Sequence, residues 1–340
     1  MTLRDRALLW PLGFLYGALG ALRVSLYRRG LLPSTRLDGP VLSVGNLSVG
    51  GTGKTPVVGF LAALLRDAGL PVAILSRGYG GARREPALVV SDGERVLAGA
   101  SQAGDEPVML ARALPGVVVA VGPRRDVVGR AVEARFGRRV HLLDDGFQHL
   151  RLRRDLDLLC LDASDDSRWP LPAGRLREFP GAARRADLVL LTRAESAREE
   201  RLAQLERRLG RERAVRVALR PDGFAAVADG SAQPAPRRPF VVAGVARPER
   251  LLEDVRRSAG ELAGQALFRD HHPFTTEDCR LVGQRARAAG ADALVTTAKD
   301  AARWPAVDLL LPLLVLRQKV EPAGEARLRE RVLAAARRVA

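Results

Sequence analysis

The sequence predicts an α/β protein: a parallel sheet flanked by helices, preceded by an apolar helix and followed by a second, smaller α/β unit. Three observations predict it. Beyond Pro33, short apolar runs alternate with amphipathic stretches, the pattern of strands joined by crossover helices. A glycine-rich loop ending in Lys54-Thr55 lies between the first run and the first amphipathic stretch. The chain is 47% hydrophobic but only 4% aromatic, so its core has to be built from Leu, Val and Ala, which suits buried parallel strands. Its 340 residues leave room for two such units.

The first element is the stretch 7–22, apolar throughout, with Arg4 and Arg6 before it and Arg23, Arg28 and Arg29 after it. It is shorter than the ~20 residues a membrane span needs. A helix lying in the interface is therefore expected, with Trp10 and Tyr16 at headgroup level and the arginines on anionic lipid. A cleaved export signal and an ordinary buried helix share this pattern. The nucleotide site read below argues against export, and the buried helix stays open.

Strands are expected at 41–44, 72–75, 117–121, 140–143, 156–161 and 188–191. Helices are expected between them, at 56–68 and 126–136, each closed by a glycine, Gly69 or Gly137. The proline- and glycine-rich stretch 221–239 breaks this rhythm and reads as a hinge. Strands at 240–245, 293–297 and 313–316 and helices at 249–257, 276–288 and 325–336 then make the smaller unit. The division is 1–30 for the N-terminal helix, 31–220 for the larger domain, 221–239 for the linker and 240–340 for the smaller domain.

A formal net charge of +16 raises nucleic acid, an anionic membrane face or a phosphorylated ligand as partner. Of the 55 basic residues only Lys54, Lys299 and Lys319 are lysines, and the arginines are spread along the chain. Arginine-rich composition and a functional basic face both account for that. No aromatic-interleaved basic stripe or known module points to nucleic acid, which is not expected as a partner. A lysine kept in such a chain marks a place where a planar guanidinium does not replace a compact ammonium. Cys160 and Cys279 form no CxxC pair and no Cys/His cluster, which argues for a reducing compartment and against a disulfide scaffold or a zinc site. Nothing in the sequence indicates an obligate protein partner.

The strongest local signal is Gly45-Asn46-Leu47-Ser48-Val49-Gly50-Gly51-Thr52-Gly53-Lys54-Thr55-Pro56. Glycines let the backbone fold around phosphate oxygens, so that successive N–H groups and the positive end of the following helix face the anion. Residues Ser48 to Thr55 thus form the expected ATP cradle, with Lys54 reaching the β- and γ-phosphates and the Thr55 hydroxyl on Mg²⁺. Pro56 is tolerated because the first helical turn has no N–H partner to lose. Ser48 stands where the usual GxxxxGK[ST] loop has its first glycine, and the GGxGKT form resembles the deviant loops of ParA-like and signal-recognition NTPases. Downstream, Val140-His141-Leu142-Leu143-Asp144-Asp145 is an apolar strand ending in paired carboxylates. One of Asp144 and Asp145 is expected to organise Mg²⁺ and its waters. The fold class is therefore P-loop NTPase-like.

Beyond ATP, local chemistry does not name the acceptor, but several motifs do so together. VGNLSVGGTGKTP is followed by Ser76-Arg77-Gly78-Tyr79-Gly80, Gly104-Asp105-Glu106-Pro107, Asp144-Asp145-Gly146-Phe147-Gln148-His149 and Asp270-His271-His272-Pro273-Phe274-Thr275. In content and order they resemble the tetraacyldisaccharide 4′-kinases of lipid A biosynthesis, from the apolar helix to about Asp300. Three motifs depart from that family. Its LPAGPLREP stands here as Leu171-Pro172-Ala173-Gly174-Arg175-Leu176-Arg177-Glu178-Phe179, its VTTEKD as Val295-Thr296-Thr297-Ala298-Lys299-Asp300, and its AGIGNP as Ala243-Gly244-Val245-Ala246-Arg247-Pro248.

The resemblance implies transfer of the γ-phosphate of Mg·ATP to the 4′-hydroxyl of a lipid-linked disaccharide 1-phosphate at the cytoplasmic face of the inner membrane. It implies that Asp105 faces the acceptor hydroxyl as base and that His271 pairs with it when the domains close on ATP. Asp270 would hold the imidazole tautomer. Gln148 and His149 would sit near the metal or γ-phosphate, and Asn46 on the substrate side. Arg77 and Arg177 would contact phosphate, on ATP or on the acceptor, and Lys299 the nucleotide. An acyl-anchored acceptor stays in the bilayer, so a helix and a basic surface that dock the enzyme there raise encounter. The competing reading is a switch NTPase with the same loop, which would release phosphate to water rather than to an alcohol.

Overall fold

The computed structural model describes residues 3–337, with side chains from residue 9 onward. Arg4 and Arg6, the expected basic flank, lie outside the described side chains. Helix α1 (Leu3–Arg28) runs past the apolar stretch, and within it Leu9–Arg28 is long and apolar enough to cross a membrane, with a mean hydropathy of 1.3. The stretch 7–22 alone is short for a span, but the helix continues through Tyr27 and Arg28. Arg23, expected on lipid, instead reaches back to the Gln148 carbonyl at 3.3 Å.

The larger α/β block follows in alternation: β1 (Val41–Asn46), α2 (Lys54–Asp67), β2 (Val72–Ser76), β3 (Leu88–Ser91), α3 (Ala100–Ala103), α4 (Asp105–Ala113), β4 (Val118–Val121), α5 (Arg125–Phe136), β5 (Val140–Asp144), β6 (Leu156–Asp162), β7 (Leu188–Thr192), α6 (Glu199–Leu209) and β8 (Ala214–Ala226). The smaller block comprises β9 (Ala232–Gln233), β10 (Pro239–Ala243), α7 (Pro248–Ala259), β11 (Gly264–Leu267), α8 (Thr276–Ala288), β12 (Ala293–Thr296), α9 (Ala298–Ala301), β13 (Leu313–Pro322) and α10 (Glu325–Arg337).

Both blocks belong to one sheet, in the order β11-β10-β12-β13-β8-β7-β6-β1-β5-β2-β4-β3, with β9 beside β8. From β8 to β4 neighbours are parallel, as are β11 to β13. The two runs meet where β13 pairs antiparallel with β8, Val320 opposite Leu219. The stretch read as a hinge is thus partly strand: β8 continues through Pro221 and Gly223 to Ala226. Its half-buried alternation, broken by arginines, hides it from a search for continuous apolar runs.

Strand β1 lies between β5 and β6, with Val44 opposite both Asp144 and Leu158. Ligands of open parallel sheets bind beyond the carboxyl ends of such central strands. One face of the sheet is covered by α2 and α4, and its buried core includes Leu42, Val58, Leu61, Ile74 and Leu142. Helix α10 joins that same core through Leu328, Val332, Ala335 and Ala336, so a helix expected in the smaller unit returns to pack on the larger one. Its apolar residues recur at three- to four-residue spacing and bury one stripe.

Helix α1 docks on the other face, against the segment 170–179. A Cβ on Gly17 would stand 2.6 Å from the Phe179 ring, and one on Gly13 would stand 2.8 Å from Ala173 Cβ. Only glycine allows this approach. Phe14 packs on Phe179 with ring centroids 5.7 Å apart. The helix leaves Trp10, Leu12, Leu15, Tyr16, Leu19 and Leu22 exposed, an apolar patch of the kind soluble monomers avoid.

Candidate active site

The glycine-rich loop leaves β1 at Asn46, whose fully buried amide donates to the Ser48 carbonyl at 2.8 Å and to Thr52 Oγ1 at 2.9 Å. Asn46, expected on the substrate side, thus staples the loop from beneath. Gly53 ends the loop at φ 78, and a Cβ there would lie 2.6 Å from Leu219 Cδ1. Across the sheet, Thr192 Oγ1 donates to the Thr52 carbonyl at 2.7 Å, and Val49 N donates to the Arg175 carbonyl at 2.8 Å. Helix α2 then starts at Lys54 with no side-chain cap. Its first-turn N–H groups are left for an anion, and the helix dipole favours one.

Lys54 turns toward the end of β5, with Nζ 3.7 Å from Asp145 Oδ1. Burial opposes its charge, yet Asp145, Asp144 and Glu106 together hold its pKa above the ordinary lysine value. The two aspartates have different surroundings. Asp144 is buried; Oδ2 accepts from Ser76 Oγ at 3.1 Å, whereas Oδ1 has no partner. Desolvation, reinforced by Glu106, pushes its carboxyl up to about 7. Asp145 adopts φ 58 and turns its carboxylate to Arg177 Nη1 at 2.8 and 2.9 Å. Burial works against its charge, but Lys54 and Arg177 outweigh it and keep its pKa low.

Thr55 Oγ1 lies 3.4 Å from Glu106 Oε2. Among the described residues no cluster of three His, Cys, Asp or Glu side chains would hold a metal unaided. The donor set of Thr55, Glu106 and the open oxygen of Asp144 nonetheless fits Mg²⁺, which keeps waters and leans on phosphate oxygens. Glu106 went unassigned in the sequence because only folding carries α4 to the start of α2.

Asp105 opens α4 and is buried. Its Oδ1 accepts from Glu106 N at 2.9 Å, and its Oδ2 lies 3.0 Å from His271 Nδ1. His271 sits at φ 59, its ring 5.6 Å from that of Tyr79, and its Nε2 is 3.2 Å from Lys299 Nζ. An ammonium only donates, so Nε2 accepts and Nδ1 carries the proton directed at Asp105. Lys299 also approaches Asp270 Oδ1 at 3.5 Å and Glu106 Oε1 at 3.6 Å. Asp270 therefore acts on the ring chiefly through Lys299, since its own oxygen is 3.9 Å from Nε2.

The remaining expected residues divide. Gln148 donates to the Asn46 carbonyl at 3.0 Å and to Glu178 Oε1 at 3.1 Å, beside Arg177. It supports the loop and the arginine together. His149 lies 3.9 Å from Asp126 Oδ1; burial and then Arg125 push its pKa down to about 4. The ring is therefore neutral near pH 7. Arg77 is exposed on the turn after β2.

This geometry has counterparts. The model of the LpxK family, tetraacyldisaccharide-1-P 4′-kinase, matches residues 5–337. A tetraacyldisaccharide 4′-kinase of Anaeromyxobacter dehalogenans (strain 2CP-C) is 45% identical over 298 residues, covering 85% of this chain and 78% of its own. That of Desulfotalea psychrophila is 39% identical over 317 residues, covering 91% of both chains. The crystal structure of LpxK from Aquifex aeolicus in complex with ATP matches with a TM-score of 0.79 and 30% identity, over 97% of this chain and 99% of that one. A glycine-rich loop facing paired carboxylates, the linked Asp105 and His271, and these matches along nearly the whole chain place it in the tetraacyldisaccharide 4′-kinase family.

Proposed function

We propose that the chain transfers the γ-phosphate of ATP to the 4′-hydroxyl of a tetraacyldisaccharide 1-phosphate lipid, with Asp105 accepting the hydroxyl proton. The supporting observation is the convergence, at the carboxyl ends of β1 and β5, of Lys54, the open oxygen of Asp144 and the Asp105–His271 pair. Mg·ATP, when bound, supplies the phosphoryl group and a cation on its oxygens. Thr55, Asp144 and Glu106 would hold that cation. Lys54 and the first N–H groups of α2 bind the β- and γ-phosphates and take up charge that develops between them.

Asp105 has one oxygen occupied by His271 and the other only partly occupied, by a backbone N–H. That second oxygen faces the acceptor hydroxyl and takes its proton, and His271 keeps the carboxylate oriented. Arg177, held by Asp145, would contact a phosphate oxygen, and exposed Arg77 the phosphate the acceptor already carries.

The exposed side of α1 sits in the cytoplasmic leaflet of the inner membrane, where an acyl-anchored acceptor also lies; the net charge of +16 favours that anionic surface. Incubating the chain with γ-labelled ATP and a tetraacyldisaccharide 1-phosphate in mixed micelles tests the assignment. The label is expected on the lipid. Label released only as inorganic phosphate would favour a switch NTPase instead.

A further inference from the structure

Two basic side chains of the smaller block reach Asp105, and only His271 belongs to a motif read in the sequence. The other is Arg303, just beyond α9. Its Nε, itself buried, stands 3.4 Å from Asp105 Oδ2 as an ion-pair contact and has no hydrogen-bond partner. Three hydrogen bonds hold the terminal nitrogens. Nη1 donates to the His272 carbonyl at 3.0 Å, and Nη2 donates to the Gly244 carbonyl at 3.1 Å and to Asp300 Oδ1. The group lies 5.7 Å from the centre of the Phe274 ring. Asp300 is itself fixed, accepting from Gly244 N at 3.0 Å and from Thr297 Oγ1 at 2.9 Å.

Two consequences follow from these contacts. The Gly244 carbonyl accepts from both Arg303 and His271 N, the latter at 3.1 Å. The guanidinium therefore clamps the backbone that presents His271 in its left-handed conformation. Asp300 pairs with Arg303 on its far side, and the guanidinium stands beside Asp105 as an ion-pair partner. A planar group already held by three hydrogen bonds loses little further freedom in standing beside the carboxylate.

We propose that Arg303 is a positioning residue for phosphoryl transfer: it fixes the Asp105 carboxylate and the His271 backbone in one geometry, so that the other carboxylate oxygen, which accepts only from Glu106 N, faces the acceptor hydroxyl. The inference rests on Asp105 being the proton acceptor. The test compares Arg303→Met and Arg303→Lys in the full chain, in wild-type and Asp105→Ala backgrounds, by transfer of labelled phosphate to the lipid acceptor. Arg303→Met is expected to lower kcat roughly 10- to 100-fold and to leave KM for ATP within about twofold. Arg303→Lys recovers part of the loss, because an ammonium reaches Asp105 without the planar contacts. In the Asp105→Ala background Arg303→Met causes no further loss, since the carboxylate it orients is gone.

Wild-type kcat in Arg303→Met overturns the inference. So does an equal loss in both backgrounds, which would make Arg303 a structural pin only. Where Arg303→Met does not fold, Arg303→Gln is judged by the same criteria. Near-normal kcat in Asp105→Ala alone overturns the reading of Asp105 instead, so the two failures are distinguishable.

Discussion

His271 Nδ1 stands 3.0 Å from Asp105 Oδ2 although 166 positions separate the two residues in sequence. The contact crosses from the smaller strand block to the start of α4, so it exists only when both blocks are assembled. Residues that act as such a unit are not additive. His271→Ala is expected to lower kcat roughly 10- to 100-fold, less than Asp105→Ala at about 10²- to 10⁴-fold. The double variant should be no slower than Asp105→Ala, as steady-state kinetics on lipid acceptor will show. A double variant slower by the product of the two losses would mean that the residues act independently.

Lys54→Ala removes the ammonium that Asp145, Asp144 and Glu106 surround. Catalysis should fall by about three orders of magnitude or more, through loss of charge stabilisation on the transferring phosphoryl group. Calorimetric titration with a nonhydrolysable ATP analogue should show weaker binding in a protein that still unfolds cooperatively. Unchanged affinity and turnover would remove Lys54 from the phosphate site.

Asp144 gives a pH signature. Its folded pKa, near 7, lies above the ordinary aspartate value because of burial and then Glu106. The free protein therefore holds a proton that the unfolded chain has already released, and loses stability as pH rises from about 4 to 7. Mg²⁺ requires the ionised form, so nucleotide affinity in Mg²⁺ should weaken as pH falls below about 7. Asp144→Asn should raise the Tm of the free protein at pH 8 by about 2–4 °C, equivalent to about 1 kcal/mol, and abolish stabilisation by Mg·ATP. A lower Tm in Asp144→Asn at pH 8 would contradict the assignment.

Removal of residues 1–28 should weaken sedimentation with anionic vesicles and slow turnover of membrane-presented acceptor. Gly17→Leu should undock α1, because the added side chain enters the Phe179 ring. Vesicle partitioning unchanged by the truncation would eliminate α1 as the membrane contact.

The sequence was legible where chemistry or burial is local. The glycine-rich loop, the apolar strand before Asp144 and the helix Thr276–Ala288 with its Thr275–Asp278 capping box carry their signals within a few residues. Strand β8 did not, since it alternates buried and exposed residues, contains Arg216 and Arg220 and becomes a strand by pairing with β7 and, along its length, with β13. Asp105 and His271, each in a family motif, are paired by the fold as those motifs implied. Glu106 at Thr55, Arg303 at Asp105, and Asn46 beneath its own loop depend on contacts across strands and blocks, for which no short pattern exists.

The central claim is that the Asp105 carboxylate takes the proton of the alcohol that receives the γ-phosphate. Single-turnover transfer from γ-labelled ATP to tetraacyldisaccharide 1-phosphate, measured for wild type and Asp105→Asn at matched nucleotide occupancy, tests it most directly. The account predicts labelled lipid in wild type and a rate lower by about 10²-fold or more in Asp105→Asn. Transfer by Asp105→Asn at the wild-type rate would contradict it.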